Sequence, residues 1–117
     1  GQLPWQGDSM DLVHTGCLGA GVDLDSGMAC ARSCVLNGLS VLEDALGDLD
    51  QIQRVIKVVG FVASAPGFSD QPAVIDAASG LLIDVFGELG RHARSAVGVA
   101  ALPRGAPVEI ELVVRCN

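Results

Sequence analysis

Residues 52–63 read Ile-Gln-Arg-Val-Ile-Lys-Val-Val-Gly-Phe-Val-Ala, and the part from Val55 to Val62 is almost continuously apolar and mostly β-branched. β-Branched side chains are stiff at χ1 and fit a pleated surface. A run that does not alternate suits a strand covered on both faces, so this segment is expected to lie at the centre of a sheet. The rest of the chain must then supply its partners and its cover.

Two flanking segments have the period of a helix. Over residues 27–46, Met28, Ala31, Val35, Leu39, Leu42 and Leu46 recur at helical spacing, with Arg32, Glu43 and Asp44 opposite. Asp25 or Ser26 is placed to cap this helix, because a short oxygen-bearing side chain accepts the free amides of the first turn. Gly47 stops it. After a loop at 64–71, Pro72 opens a second helix to about Phe86 through Val74, Ala78, Leu81, Leu82 and Val85, with Asp76 and Asp84 outward. Two strands are expected at 95–101 and 108–114 around a turn at 103–107. On the closing strand Glu109 and Glu111 alternate with Val108, Ile110 and Leu112. The first 22 residues read as strand or extended loop, with turns at Gly7-Asp8 and near Gly19 to Gly21.

The order is β-β-α-β-α-β-β, an α+β plan with two helices on one face of a single sheet, in one domain spanning 1–117. Nothing in the chain covers the other sheet face. Burial against further copies is the simplest remedy, so an oligomer is expected.

Charge narrows the function classes. The net charge is −7 and the seven Lys and Arg form no cluster, so the counterion release that drives nucleic-acid binding has no basic face to act on. An anionic small molecule needs one well-placed Arg working against the overall field. No apolar run approaches the ~20 residues of a membrane span. Cys30 and Cys34 share a helix face, and with Cys17 and Cys116 they read as reduced thiols of an intracellular, cytoplasmic protein rather than a metal site. The Gly-rich stretch 16–21 lacks the Lys and strand-to-helix context of a phosphate loop, and reads as the turn before the first helix.

Several strings resemble one family. Gly1-Gln2-Leu3-Pro4 is similar to the end of a family strand reading SGQLP, and Asn37 falls in the asparagine-bearing stretch of the first helix. Residues 56–62 resemble its central strand. His92-Ala93-Arg94-Ser95, then Val97, Leu102-Pro103 and Val108-Glu109-Ile110-Glu111, is similar to the family's closing signature. The chain therefore resembles the Rid/YjgF family (RidA-like reactive-intermediate deaminases, also labelled endoribonuclease L-PSP) over essentially its whole length, nearer to a longer-chain subgroup. The match begins inside a strand, and the family's first strand is expected to precede Gly1.

That resemblance implies a chorismate-mutase-like fold and a homotrimer with clefts between subunits. The implied activity is cofactor-free hydrolysis of enamines and imines to 2-oxo acids and ammonia, on small carboxylate-bearing metabolites. Arg94 matches the arginine that grips the substrate carboxylate, a role suited to a planar two-donor cation; the alternative is an inter-subunit salt bridge or a surface position. Glu109 matches the glutamate beside the attacking water, which a carboxylate can orient and deprotonate; the alternative is a solvated strand face shared with Glu111. The sequence departs from the deaminase branch at Ala96, where that branch has Cys, and in having no Tyr. The helix-two Asn of that branch has no clear match, Asp76 or Ser79 falling nearby. These departures motivate a second expectation, a non-catalytic metabolite-binding or chaperone-like member. His14 and His92 are read as structural, and no Ser-His-Asp or Cys-His set is apparent.

Overall fold

The computed structural model describes all 117 residues. Its elements are β1 (Cys17–Leu18), β2 (Gly21–Val22), α1 (Leu24–Leu46), β3 (Ile52–Ala63), α2 (Gln71–Phe86), β4 (Ala93–Val99) and β5 (Val108–Cys116). The order of element types is as expected, but the single sheet is not: β1 and β2, two residues each and at the Gly-rich stretch read as a turn, pair with each other in a separate two-stranded sheet. The apolar run is the middle strand of a sheet ordered β4-β3-β5. β5 runs antiparallel to β3, while α2 carries the chain back across the sheet so that β4 runs parallel. The segment before β1 is mostly loop. It touches the sheet through Gln2, whose amide donates to Ile110 O at 2.8 Å and whose carbonyl accepts from Ile110 N at 3.0 Å.

Both helices pack on one face. From α1 come Cys30, Ala31, Cys34 and Val35; from α2 come Val74, Ile75, Ala78 and Leu82; from the sheet come Val55, Val58, Val62, Val108 and Ile110, all at most 1 % exposed. Each large side chain buried in this way contributes roughly 1.5–3 kcal/mol. Gly60 belongs to this layer, because Ile75 lies where its Cβ would stand.

Several boundaries differ from expectation. Asp23, not Asp25 or Ser26, caps α1: its backbone is extended and its Oδ1 accepts from Ser26 N at 2.8 Å, so Asp25 and Ser26 already lie in the first turn. Gly47 ends the helix at φ 85°, a left-handed conformation that glycine adopts without steric penalty. β4 starts and stops two residues early, because its ladder with β3 runs from Lys57–Ala93 to Ala63–Val99 and Ala100 has no partner beyond it. β5 continues to Cys116, opposite Ile52.

The expectation that β3 is covered on both faces holds on one face only within this chain. On the side away from the helices lie Lys57, Val59 and Phe61 of β3 with Val97 of β4 and Val113 of β5, the last two 42 % and 49 % exposed.

Candidate functional site

Arg94 stands beside Val58 in the β3–β4 ladder, and Val58 is wholly buried under the helices. Directly paired residues share a sheet face, so Arg94 projects to the helix side, where α2 passes. Asp76 and Ser79 are three residues apart on α2 and meet it there. Arg94 Nη1 donates to Asp76 Oδ1 at 2.7 Å and to Ser79 Oγ at 3.4 Å. The Arg94 side chain is 26 % exposed and that of Asp76 67 %, so solvent screens the pair to at most about 1 kcal/mol. Its larger consequence is orientation. Nε and Nη2 form no hydrogen bond in the chain, leaving a two-donor edge of the guanidinium open.

His92 joins the same group. Its Nδ1 faces the Gly90 carbonyl and its Nε2 lies 2.8 Å from Ser79 Oγ. A carbonyl only accepts, so Nδ1 carries the proton; Nε2 is then an acceptor and the Ser79 hydroxyl donates to it. The short 3-10 turn Gly87–Gly90, which follows α2 directly, brings His92 back against the helix. Ser79, Ile83, Arg91, His92 and Arg94 line a recess of about 230 Å³. Of the five recesses on the surface, this is the one lined by charged side chains. Arg91 at its mouth is paired through Nε with Glu88 at 3.1 Å, both well exposed.

Glu109 lies elsewhere. It stands opposite Phe61 in the β3–β5 ladder, between the buried Val108 and Ile110, and so projects from the open sheet face. Arg94 and Glu109 thus occupy opposite faces and opposite edge strands, and one chain does not bring them together. Both α2 residues weighed against the unmatched Asn, Asp76 and Ser79, reach Arg94. Ala96 shares the helix face with Arg94, opposite Gly60. The sequence reading missed the Ser79–His92 pair. Thirteen residues and a change of element separate its members, and only the run Ser79, His92, Arg94 around an expected helix end hinted at it.

Comparison with known proteins places this geometry. Residues 1–113 match the family model described as "YjgF/chorismate_mutase-like, putative endoribonuclease". The chain belongs to that family. Protein TCP17 of Trypanosoma cruzi is 48 % identical over 118 residues, covering all of this chain and 72 % of that protein. The crystal structure of Atu1372 from Agrobacterium tumefaciens, described as of unknown function, is 47 % identical with a TM-score of 0.95, over all of this chain and 74 % of that one. A "putative endoribonuclease" from Shewanella oneidensis is 30 % identical with a TM-score of 0.92, over 97 % of this chain and 74 % of its own. The two helices on a mixed sheet are the YjgF/chorismate-mutase-like α+β fold. No helix is long and apolar enough to cross a membrane.

Proposed function

We propose that this family member hydrolyses reactive enamines and imines to 2-oxo acids and ammonia, without a cofactor, in a cleft between subunits of a cytoplasmic homotrimer. The observation that carries the reading is Arg94, whose Nε and Nη2 have no partner in the chain, on the lining of the one charged recess of an otherwise acidic protein. A carboxylate fits the Nε/Nη2 edge with two parallel, charge-assisted hydrogen bonds. Asp76 and Ser79 already hold the third nitrogen, so little side-chain freedom is lost on binding. Glu109, from the open face of a neighbouring copy, orients the attacking water.

The test is ammonia release from 2-iminobutanoate generated in situ. Arg94→Ala is expected to lower kcat/KM about 100-fold, the loss of two hydrogen bonds to a charged group. Arg94→Lys is expected to recover little, because an ammonium cannot present the fork. Equal turnover by Arg94→Ala and wild type would overturn the assignment.

The second reading is a binding or chaperone-like member that uses the recess without turnover. Ala96, the absence of Tyr and the separation of Arg94 from Glu109 within one chain favour it. Saturable 2-oxobutanoate binding with no ammonia release would support it. Ribonuclease action has the least support, since the chain carries net charge −7 and the charged recess holds one histidine.

A further inference from the structure

We propose that Ser79 and His92 form the proton relay of the Arg94 recess, with His92 as catalytic base and then acid and Ser79 as the conduit. This rests on the imine-hydrolase reading above and adds to it the route of the proton. The arrangement has the three parts of an activated hydroxyl: Ser79 Oγ lies 2.8 Å from His92 Nε2, and the Gly90 carbonyl fixes the tautomer that leaves Nε2 able to accept. It also adjoins the anchor, since Arg94 Nη1 is 3.4 Å from that oxygen. Arg94, Ser79 and His92 line one recess, so a substrate whose carboxylate is held by Arg94 occupies a volume that the pair also borders. The other charged groups around the imidazole are Arg91 and Arg94 in the recess, with Asp76 on Arg94 and Glu88 on Arg91. Both carboxylates are thus paired with a guanidinium, and His92 is the one imidazole on the lining.

Starting from the protonated imine, the water oxygen bonds to the imine carbon and the C=N π pair moves onto nitrogen. One water proton passes to Ser79 Oγ while the Ser79 proton passes to His92 Nε2. The imidazolium then returns a proton through Ser79 to the amine nitrogen, and the C–N bond breaks. The hydroxyl oxygen closes the carbonyl and its proton passes to the departing ammonia, which leaves as ammonium, with His92 neutral again. No electrons are exchanged with an outside partner.

Steady-state kinetics of 2-iminobutanoate hydrolysis across pH, with melting temperatures, separate this role from a merely structural one. Proton transfer by a positioned group contributes about 100-fold or more, so His92→Gln and Ser79→Ala are each expected to lose about that factor in kcat with KM nearly unchanged. Ser79→Thr, which keeps the hydroxyl, is expected to recover most of it. His92→Gln is expected to change the pH profile of kcat, which a merely positioning role would leave as it is in the wild type. Gln can still accept from Ser79 but cannot store a proton. If His92→Gln keeps kcat and only KM rises, the pair positions Arg94 and the relay is wrong. If His92→Gln does not fold, Ser79→Ala alone decides, and an unchanged kcat there overturns the relay. Turnover that depends on Arg94 but not on Ser79 or His92 removes the relay and leaves the hydrolase. No turnover by wild type removes both.

Discussion

At the scale of single residues, burial governs the thiols. Cys30 and Cys34 lie one helical turn apart on the buried face of α1, and Cys34 Sγ donates weakly to Val108 O at 3.7 Å. Burial pushes the Cys30 thiol from an ordinary 9.0 up to about 11. Burial, with Cys30 alongside, pushes that of Cys34 higher still. Both shifts favour the neutral thiol in the folded state. The stability they represent is fully present below pH 9, where folded and unfolded chains are both protonated. It is lost as pH rises from 9 toward about 11, because the unfolded chain ionises first. Melting temperature is therefore expected to fall progressively above pH 9, and Cys30→Ala to show a shallower fall. Parallel curves would show that other groups set the alkaline limit. Thiol labelling of the native protein should reach Cys116, which is exposed, long before Cys30 or Cys34. This burial was legible in the four-residue spacing of Cys30 and Cys34. The Ser79–His92 pair was not, because its members meet only when the turn after α2 folds back.

At the scale of elements, the contact between α2 and β3 depends on one missing methyl group. Gly60 sits in a run of large residues, and nothing local marks it as special. Its significance appears only when Ile75 of α2 is found where a Cβ would be. Gly60→Ala should force α2 away from the sheet and cost about 1–3 kcal/mol of overpacking. Gly80, on the outer side of the same helix with nothing within 4 Å of its missing Cβ, is the control. Gly80→Ala should stabilise by about 0.5–1 kcal/mol, since glycine is a poor helix former. Denaturant midpoints moving down for the first and up for the second would locate the tight contact. A neutral Gly60→Ala would mean that Ile75 can repack. Periodicity made both helices and β3 legible, because core burial imposes it. The ends were not: the ladder with β3 ends β4, and a side-chain bond from Asp23 starts α1, neither of which leaves a trace in hydropathy.

At the scale of the molecule, the open sheet face and the split site pose one question. Val59, Phe61, Val97 and Val113 form an apolar surface that the chain leaves uncovered, and Glu109 stands on that same face. Arg94 faces the other way, from the opposite edge strand. If copies pack through the open face, Glu109 of one comes under the edge of the next, and each cleft takes its carboxylate anchor and its water-orienting group from different subunits. The sequence could show that both residues match the family signature. It could not show that they lie on opposite sheet faces and opposite edge strands, because that separation arises only from the ladder register. The arrangement predicts complementation. Arg94→Ala and Glu109→Gln are each expected to be nearly inactive in 2-iminobutanoate hydrolysis when assembled alone. Unfolded together in equal amounts and refolded, they form mixed oligomers in which roughly a quarter of the neighbour pairs combine an intact Arg94 with an intact Glu109. Ammonia release should return to about that fraction of wild type, as those statistics require. If the two residues instead served one site within a single subunit, no mixed assembly would contain an intact site. Mixed oligomers verified by mass that stay inactive would then place Glu109 outside the Arg94 cleft.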